Sequence, residues 1–214
     1  MRLLGFTLLL AAGTCCFAQD WAVGIAGGYG FYNDATIKNA AGTSAQAGFA
    51  PQFAAGAALT ENLYQYIGGE LRYTFRNSDA ELKSQGRGVN LDAYENAVHY
   101  DFLFYATPRR ARIRPFAAAG AGIVRFDGIG RTVVGQGFDS FAVLAHNHQV
   151  EGMLSFGGGV KISLGDRWVA RLDFRDYATP LPGQLFASPK GATVQGWLHD
   201  FVPMVGIDYS FGGR

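Results

Sequence analysis

The chain has 214 residues, with 30 glycines, 14% aromatic residues, and 18 Lys and Arg against 17 Asp and Glu. Its 16% charged content lies well below the roughly 25% of an ordinary soluble domain, whereas its 49% hydrophobic content is unremarkable. A net charge of +1 excludes a strongly basic nucleic-acid binder, and the aromatic load excludes a disordered chain.

Residues 1–18 have the layout of an export signal: Arg2, an apolar run from Leu3 to Ala12, and small residues around a cleavage point after Ala18. The run is too short to span a bilayer as a helix. Cleavage would remove Cys15 and Cys16, leaving a cysteine-free chain with 17 cations and 17 anions from Gln19 onward. The rival reading, a lipidated Cys15 or Cys16, lacks the leucine expected three positions earlier. No later stretch approaches the roughly 18 apolar residues of a transmembrane helix, so an exported chain this poor in charge is either an unusual periplasmic domain or a β-barrel in an outer membrane.

Beyond the signal the hydrophobic period is two, the grammar of strands. Trp21, Val23, Ile25, Tyr29 and Phe31 share the first face, and Phe49, Phe53, Ala55, Ala57 and Leu59 the second. In the third segment Leu71, Tyr73 and Phe75 oppose Tyr64, Tyr66, Glu70, Arg72, Thr74 and Arg76. The fourth, from Tyr94 to Tyr105, sets Val98, Tyr100, Phe102 and Phe104 against His99 and Asp101. The fifth, from Pro115, reads as Phe116, Ala118, Val124 and Phe126 on the apolar face, with Ala117, Ala119, Ala121, Ile123 and Arg125 opposite. The sixth opposes Leu154, Phe156, Val160 and Ile162 to Met153, Ser155 and Lys161, and the seventh opposes Trp168, Leu172 and Phe174 to Arg171, Asp173, Arg175 and Tyr177. The last places Trp197, Phe201, Val205, Ile207, Tyr209 and Phe211 against Asp200, Met204 and Asp208. Pro51 and Pro203 interrupt two of these segments and predict bulges or shifted strand ends.

Eight such segments predict an all-β fold, an eight-stranded antiparallel up-and-down transmembrane β-barrel occupying residues 19–214 as one domain. Connection lengths agree: residues 33–44, 77–93, 127–149 and 178–196 are long, and 60–62, 106–114 and 165–167 are short. Long loops on one side and tight turns on the other are the asymmetry of outer-membrane barrels. The polar face is rich in Gly, Ala and Ser with mixed-sign charges, which suits a narrow filled interior. Glu70, Arg72, Asp101, Arg125, Lys161, Arg171, Asp173, Arg175 and Asp208 are expected to form one network there. The opposite face gathers aromatics at both ends, Trp21, Phe104, Phe116, Trp168, Tyr209 and Phe211 toward the turns and Phe31, Phe49, Phe75, Phe126 and Trp197 toward the loops. Two such belts match the girdles of membrane barrels.

Three features carry a family resemblance: Arg114-Pro115-Phe116 leading a Gly/Ala-rich strand, Gly157-Gly158-Gly159-Val160, and the ending Gly206-Ile207-Asp208-Tyr209-Ser210-Phe211. With these the chain resembles the small outer-membrane β-barrel proteins, the OmpA-like and OmpX-like eight-stranded group. The ending departs from the group's assembly signal at Met204 and in the trailing Gly212-Gly213-Arg214. The resemblance implies residence in the outer membrane and insertion by its barrel-assembly machinery, but not an activity, because this fold hosts adhesins, structural proteins and lipid-modifying enzymes.

Candidate chemistry is sparse. His146-Asn147-His148 could ligate a metal with Asp139 or Glu151, although a solvated loop explains them as simply. His99 with Asp101 could relay protons, although a filled polar interior accounts for both. The glycine runs lie in strands with no following helix, so they do not form phosphate cradles. Arg109, Arg110, Arg112 and Arg114 form a cationic turn. The reading is therefore a non-enzymatic structural or surface-interaction protein, with a barrel closed to solutes and four mobile loops outside. It has no catalytic residue, cofactor or metal. Its partners are outer-membrane lipids, the assembly machinery, and an extracellular ligand held through 127–149 and 178–196. The alternatives are a lipid-modifying enzyme, which would need a polar cluster on the lipid-facing side near the outer rim, or a narrow pore.

Overall fold

The structure is a computed structural model that describes residues 20–134 and 137–211. The expected signal at 1–18 and the trailing 212–214 lie outside the described residues. Among the described residues fifteen strands follow in order: β1 (Asp20–Asn33), β2 (Ala35–Lys38), β3 (Ser44–Phe49), β4 (Gln52–Asn62), β5 (Ile67–Asn77), β6 (Ala80–Ser84), β7 (Arg87–Leu91), β8 (Ala93–Tyr105), β9 (Ile113–Gly128), β10 (Val143–Leu144), β11 (His148–Ser163), β12 (Trp168–Thr179), β13 (Phe186–Ala187), β14 (Thr193–Gln195) and β15 (Leu198–Phe211). Eight of them, β1-β15-β12-β11-β9-β8-β5-β4, close an antiparallel barrel. The first strand meets the last in the register Trp21↔Phe211, Ile25↔Ile207 and Asn33↔His199, so the barrel has no free edge.

The barrel is clad in apolar side chains. Ile25, Val205, Leu172, Ile123, Phe102, Phe156 and Phe174 all point outward and are exposed. Such an exterior is stable only in a solvent that is itself apolar. Pro203 stays within β15 and faces outward: pairing with β12 runs on through Phe174↔Pro203, whereas the ladder to β1 lapses between Gly28↔Met204 and Phe31↔Phe201 without a change of register. A missing N–H explains a gap on one side only. Pro51 instead separates β3 from β4, and its carbonyl accepts a hydrogen bond from the Tyr29 hydroxyl (3.0 Å).

Strand β9 faces the other way from the sequence reading. Phe116, Ala118, Val124 and Phe126 are buried inside, and Ala117, Ala121, Ile123 and Arg125 face out. Both faces of this strand are mostly small and uncharged, so alternation alone leaves its sense undetermined. Packing decides it: Phe116 lies under the guanidinium groups of Arg171 and Arg175 (5.4 and 5.6 Å), and Phe126 stacks on Phe49 (5.1 Å). Phe49 itself is not on the outer belt but buried on β3, beyond the barrel rim. Tyr64 and Tyr66 fall in the turn after β4 and are exposed, not in the lumen.

The long connections are not mobile loops, as the sequence reading expected, but a second, folded layer. Strands β14-β2-β3-β6-β7 form a five-stranded sheet that joins the fourth, first and second loops, and β10 pairs with β13 to join the third and fourth. Representative pairs are Val194↔Ile37, Ala47↔Leu82 and Leu144↔Phe186. The inward residues of this cap include Ile37, Phe49, Leu82, Leu91, Phe138, Phe141, Leu144, Leu185 and Phe186, and they form one apolar core with Val124, Phe126, Met153, Val202 and Met204 from the barrel strands.

Candidate functional site

Two regions of this fold concentrate polar groups: the barrel lumen and the outer surface of the cap. In the lower lumen four carboxylates, Glu70, Asp101, Asp173 and Asp208, meet four cations, Arg72, Lys161, Arg171 and Arg175, all buried. Glu70 is the hub. It accepts both terminal nitrogens of Arg171 (2.5 and 2.8 Å), the Nε of Arg72 (3.0 Å), and the Thr60 hydroxyl (2.9 Å). Arg171 Nε also donates to Asp173 (2.7 Å), which Arg72 contacts as well. Arg175 spans Asp173 Oδ1 (3.2 Å) and Asp101 Oδ2 (3.3 Å), while Lys161 pairs with Asp208 (3.0 Å). Equal numbers of opposite charges sharing ligands is the state in which buried ions are tolerable.

Glycines on the adjoining strands create the room. A Cβ at Gly24 would lie 2.0 Å from an Asp208 oxygen, and one at Gly120 would lie 2.3 Å from an Asp101 oxygen. Eight of the nine residues expected in this network are present; Arg125 is not, because it lies outside and pairs with Asp127 on its own strand (2.7 Å). A second cluster nearer the loops went unread in the sequence. Arg76 is held between Glu95 (2.6 Å) and Asp200, and Tyr32 donates to Glu95 (2.9 Å). His99 Nδ1 lies 3.0 Å from Asp101 and its ring packs on Tyr177 (5.1 Å), so this pair is walled into the lumen among fully buried side chains.

The metal candidates do not converge. His146 Nδ1 sits 2.9 Å from the Gly130 carbonyl, His148 is exposed, and Glu151 receives a hydrogen bond from Gln149. Among the described residues no three His, Cys, Asp or Glu side chains gather closely enough to hold an ion. In the arginine turn, Arg110 and Arg112 are exposed, whereas Arg114 turns inward, lies over the Tyr105 ring (3.6 Å) and donates to Asn62 (3.0 Å), closing the lumen floor.

The cap's outer face is polar. A groove of about 530 Å³ on its first two loops is lined by Gln46, Glu81, Lys83, Gln85 and Arg87 among others. Lys83 Nζ pairs with Glu81 (2.5 Å) at the groove, and the β6–β7 turn puts Gln85 and Gly86 at positive φ, the geometry of a tight hairpin. Burial pushes the Asp34 carboxyl above its ordinary range against the pull of Lys83, and burial with nearby Asp92 does the same to Asp79.

No protein-family model and no curated protein matches this sequence. Solved structures do. Neisserial surface protein A shares 14% identity over 90% of this chain and 97% of its own, with a TM-score of 0.54. The fold is that of the small outer-membrane β-barrels. A major outer membrane protein from Thermus thermophilus (12% identity, 89% of this chain, 99% of that one, TM-score 0.51) shares it. So does the outer membrane protease OmpT of Escherichia coli (8% identity, 90% and 97%, TM-score 0.51). At these identities the likeness carries architecture and not activity.

One polar pair was expected nowhere. On the outward face, where the sequence reading found no cluster, His199 Nδ1 lies 3.0 Å from both carboxylate oxygens of Asp176 on the neighbouring strand. Its signal in the sequence is a break of parity: Asp176 continues the outward series Trp168, Leu172, Phe174, and His199 falls between Trp197 and Phe201.

Proposed function

We propose that the protein is an outer-membrane barrel, exported with loss of residues 1–18, whose folded cap serves adhesion or binding outside the cell while the lumen passes no solute. The carrying observation is the cap itself. Four loops that could have stayed solvated instead share two sheets and an apolar core, which presents a stable polar surface. The groove at Lys83 and Arg87 adds the first two loops to 127–149 and 178–196 as contact surface. The lumen supports closure, since Arg76, Arg171, Arg175 and Tyr177 fill it with fully buried side chains.

The test uses two measurements on the full-length protein. Exchanging the β6–β7 hairpin tip, Ser84 to Arg87, for a neutral turn should reduce adherence of expressing cells to a host-cell or matrix surface while the protein still reaches the membrane. Purified protein in planar bilayers should carry no steady current. Unchanged adherence after removal of the whole outer sheet, or stable channel currents, would overturn the reading.

A further inference from the structure

The Asp176–His199 pair sits where a barrel has no structural use for it. Strand pairing through Asp176↔Phe201 and Ala178↔His199 is complete without side chains, and the charges that fill the lumen point the other way. Asp176 stands eight residues above Trp168 on the same face, roughly 26 Å of strand. At a tilt of about 40° that is roughly 20 Å of depth, near the outer margin of an apolar band about 25 Å tall. A carboxylate on such a face is costly unless it meets a polar partner there.

Its surroundings define the partner. Phe174, Phe201 and His199 form a column of near-parallel rings, with centroids 6.1 Å apart at each step and interplanar angles of 15° and 18°. Asn33 lies directly opposite His199 on β1 and is exposed, and Trp197, two residues before His199, is half exposed. The outward faces of β1, β12 and β15 carry no lysine or arginine, so a phosphate would meet the Asp176 carboxylate with no fixed cation to hold it. A neutral, hydroxyl-rich headgroup meets the reverse situation. Its hydroxyls can donate to Asp176 and bond the Asn33 amide, its flat apolar side can lie on the exposed rings, and its acyl chains can run down over Phe31, Phe174 and Leu172.

We infer that Asp176, His199 and Asn33 form a headgroup site for a neutral glycolipid of the outer leaflet, with the exposed Trp197 as its aromatic platform. Asp176 supplies the acceptor, and its bond to Nδ1 fixes the imidazole so that Nε2 faces the lipid. The site rests on the membrane placement proposed above but not on any role of the cap.

The experiment places full-length protein in nanodiscs of phosphatidylcholine doped with either glucosyl diacylglycerol or phosphatidylglycerol. Lipid retained on gentle delipidation is counted by native mass spectrometry, and heat-modifiable gel migration reports folding separately. Wild type should retain the glucosyl lipid, and Asp176→Asn and His199→Ala should each lower that retention by about fivefold or more, the scale of one lost polar contact. Asn33→Ala should lower it less, and Phe102→Ala, on the outward face of β8 away from the site strands, should leave it unchanged. Free glucose at millimolar concentration should not compete, which separates a lipid site from a saccharide site. Preferential retention of phosphatidylglycerol, equal retention by Asp176→Asn, or displacement by free glucose would each overturn the inference. Failure of all variants to show a folded barrel in lipid would instead count against the membrane reading.

Discussion

Around Glu70 the lumen is filled by eight buried charges, whereas toward the loops it is filled by Met153, Met204, Val202 and the phenylalanines of the cap. Both regions exclude water from the same narrow tube. The lower one is fixed by direction, each carboxylate requiring particular donors, and the upper one by volume, since apolar side chains need only fit. The charged storey specifies which strands face one another, because a slip of one residue would turn Arg171, Asp173 and Arg175 toward lipid. The apolar storey joins loops that have no common register with the barrel. Arg76, between Glu95 and Asp200, lies on the loop side of Val202 and Met204, a second charged layer directly beneath the cap.

The contrast is sharpest under substitution. Arg171→Met should destabilise the barrel by about 3 to 5 kcal/mol, because it removes two bonds to Glu70 and one to Asp173 and leaves four buried carboxylates facing three cations. Adding Asp173→Leu should recover part of that loss, with a coupling of about 1 to 3 kcal/mol in a double-mutant cycle read by urea unfolding in vesicles. Strict additivity would show that the lower storey is not one network. In the cap, Phe186→Ala removes a ring packed edge-on to Phe49 (5.7 Å) and should cost up to about 3 to 5 kcal/mol of cap stability. The measurement is protease cleavage within 178–196 at unchanged barrel migration, and a barrel that unfolds together with its cap would erase the distinction between the storeys. The smallest pair of effects tests the outer surface against both interiors. Leu172→Arg should cost about 2 to 4 kcal/mol of folding into vesicles and Trp168→Arg only about 0 to 1, because depth sets the penalty. Equal costs would mean that this face does not see a graded hydrocarbon environment.

What the sequence disclosed followed from how strongly each strand distinguishes its two faces. β5, β8, β12 and β15 alternate large apolar with charged residues, so their sense and most of the lumen network were legible. β9 alternates alanine with glycine and phenylalanine with alanine, and its charges, Arg114, Arg125 and Asp127, stand only near its two ends. No local rule orients such a strand. The cap strands are two to six residues long, yet they do alternate: Ala35 and Ile37, Ala45 and Ala47, Val89 and Leu91 are the buried positions. They read as loops because their partners are supplied by other loops, far away in sequence. The outward Asp176–His199 pair is likewise built from residues 23 apart, and only the β12–β15 register joins them.

The sheet above the rim also sets an order of assembly. Barrel closure joins residues near the two ends of the chain at Trp21↔Phe211, and the cap repeats that join at Thr36↔Gln195. Contacts of such long sequence separation form late, after the loop-closure entropy has been met by nearer hairpins. Strand β14 directly precedes the closing strand, so β2 cannot gain its partner until the final hairpin has arrived. The completed sheet therefore acts as a clasp, because the β2–β14 pairing crosses the same seam that β1 and β15 close.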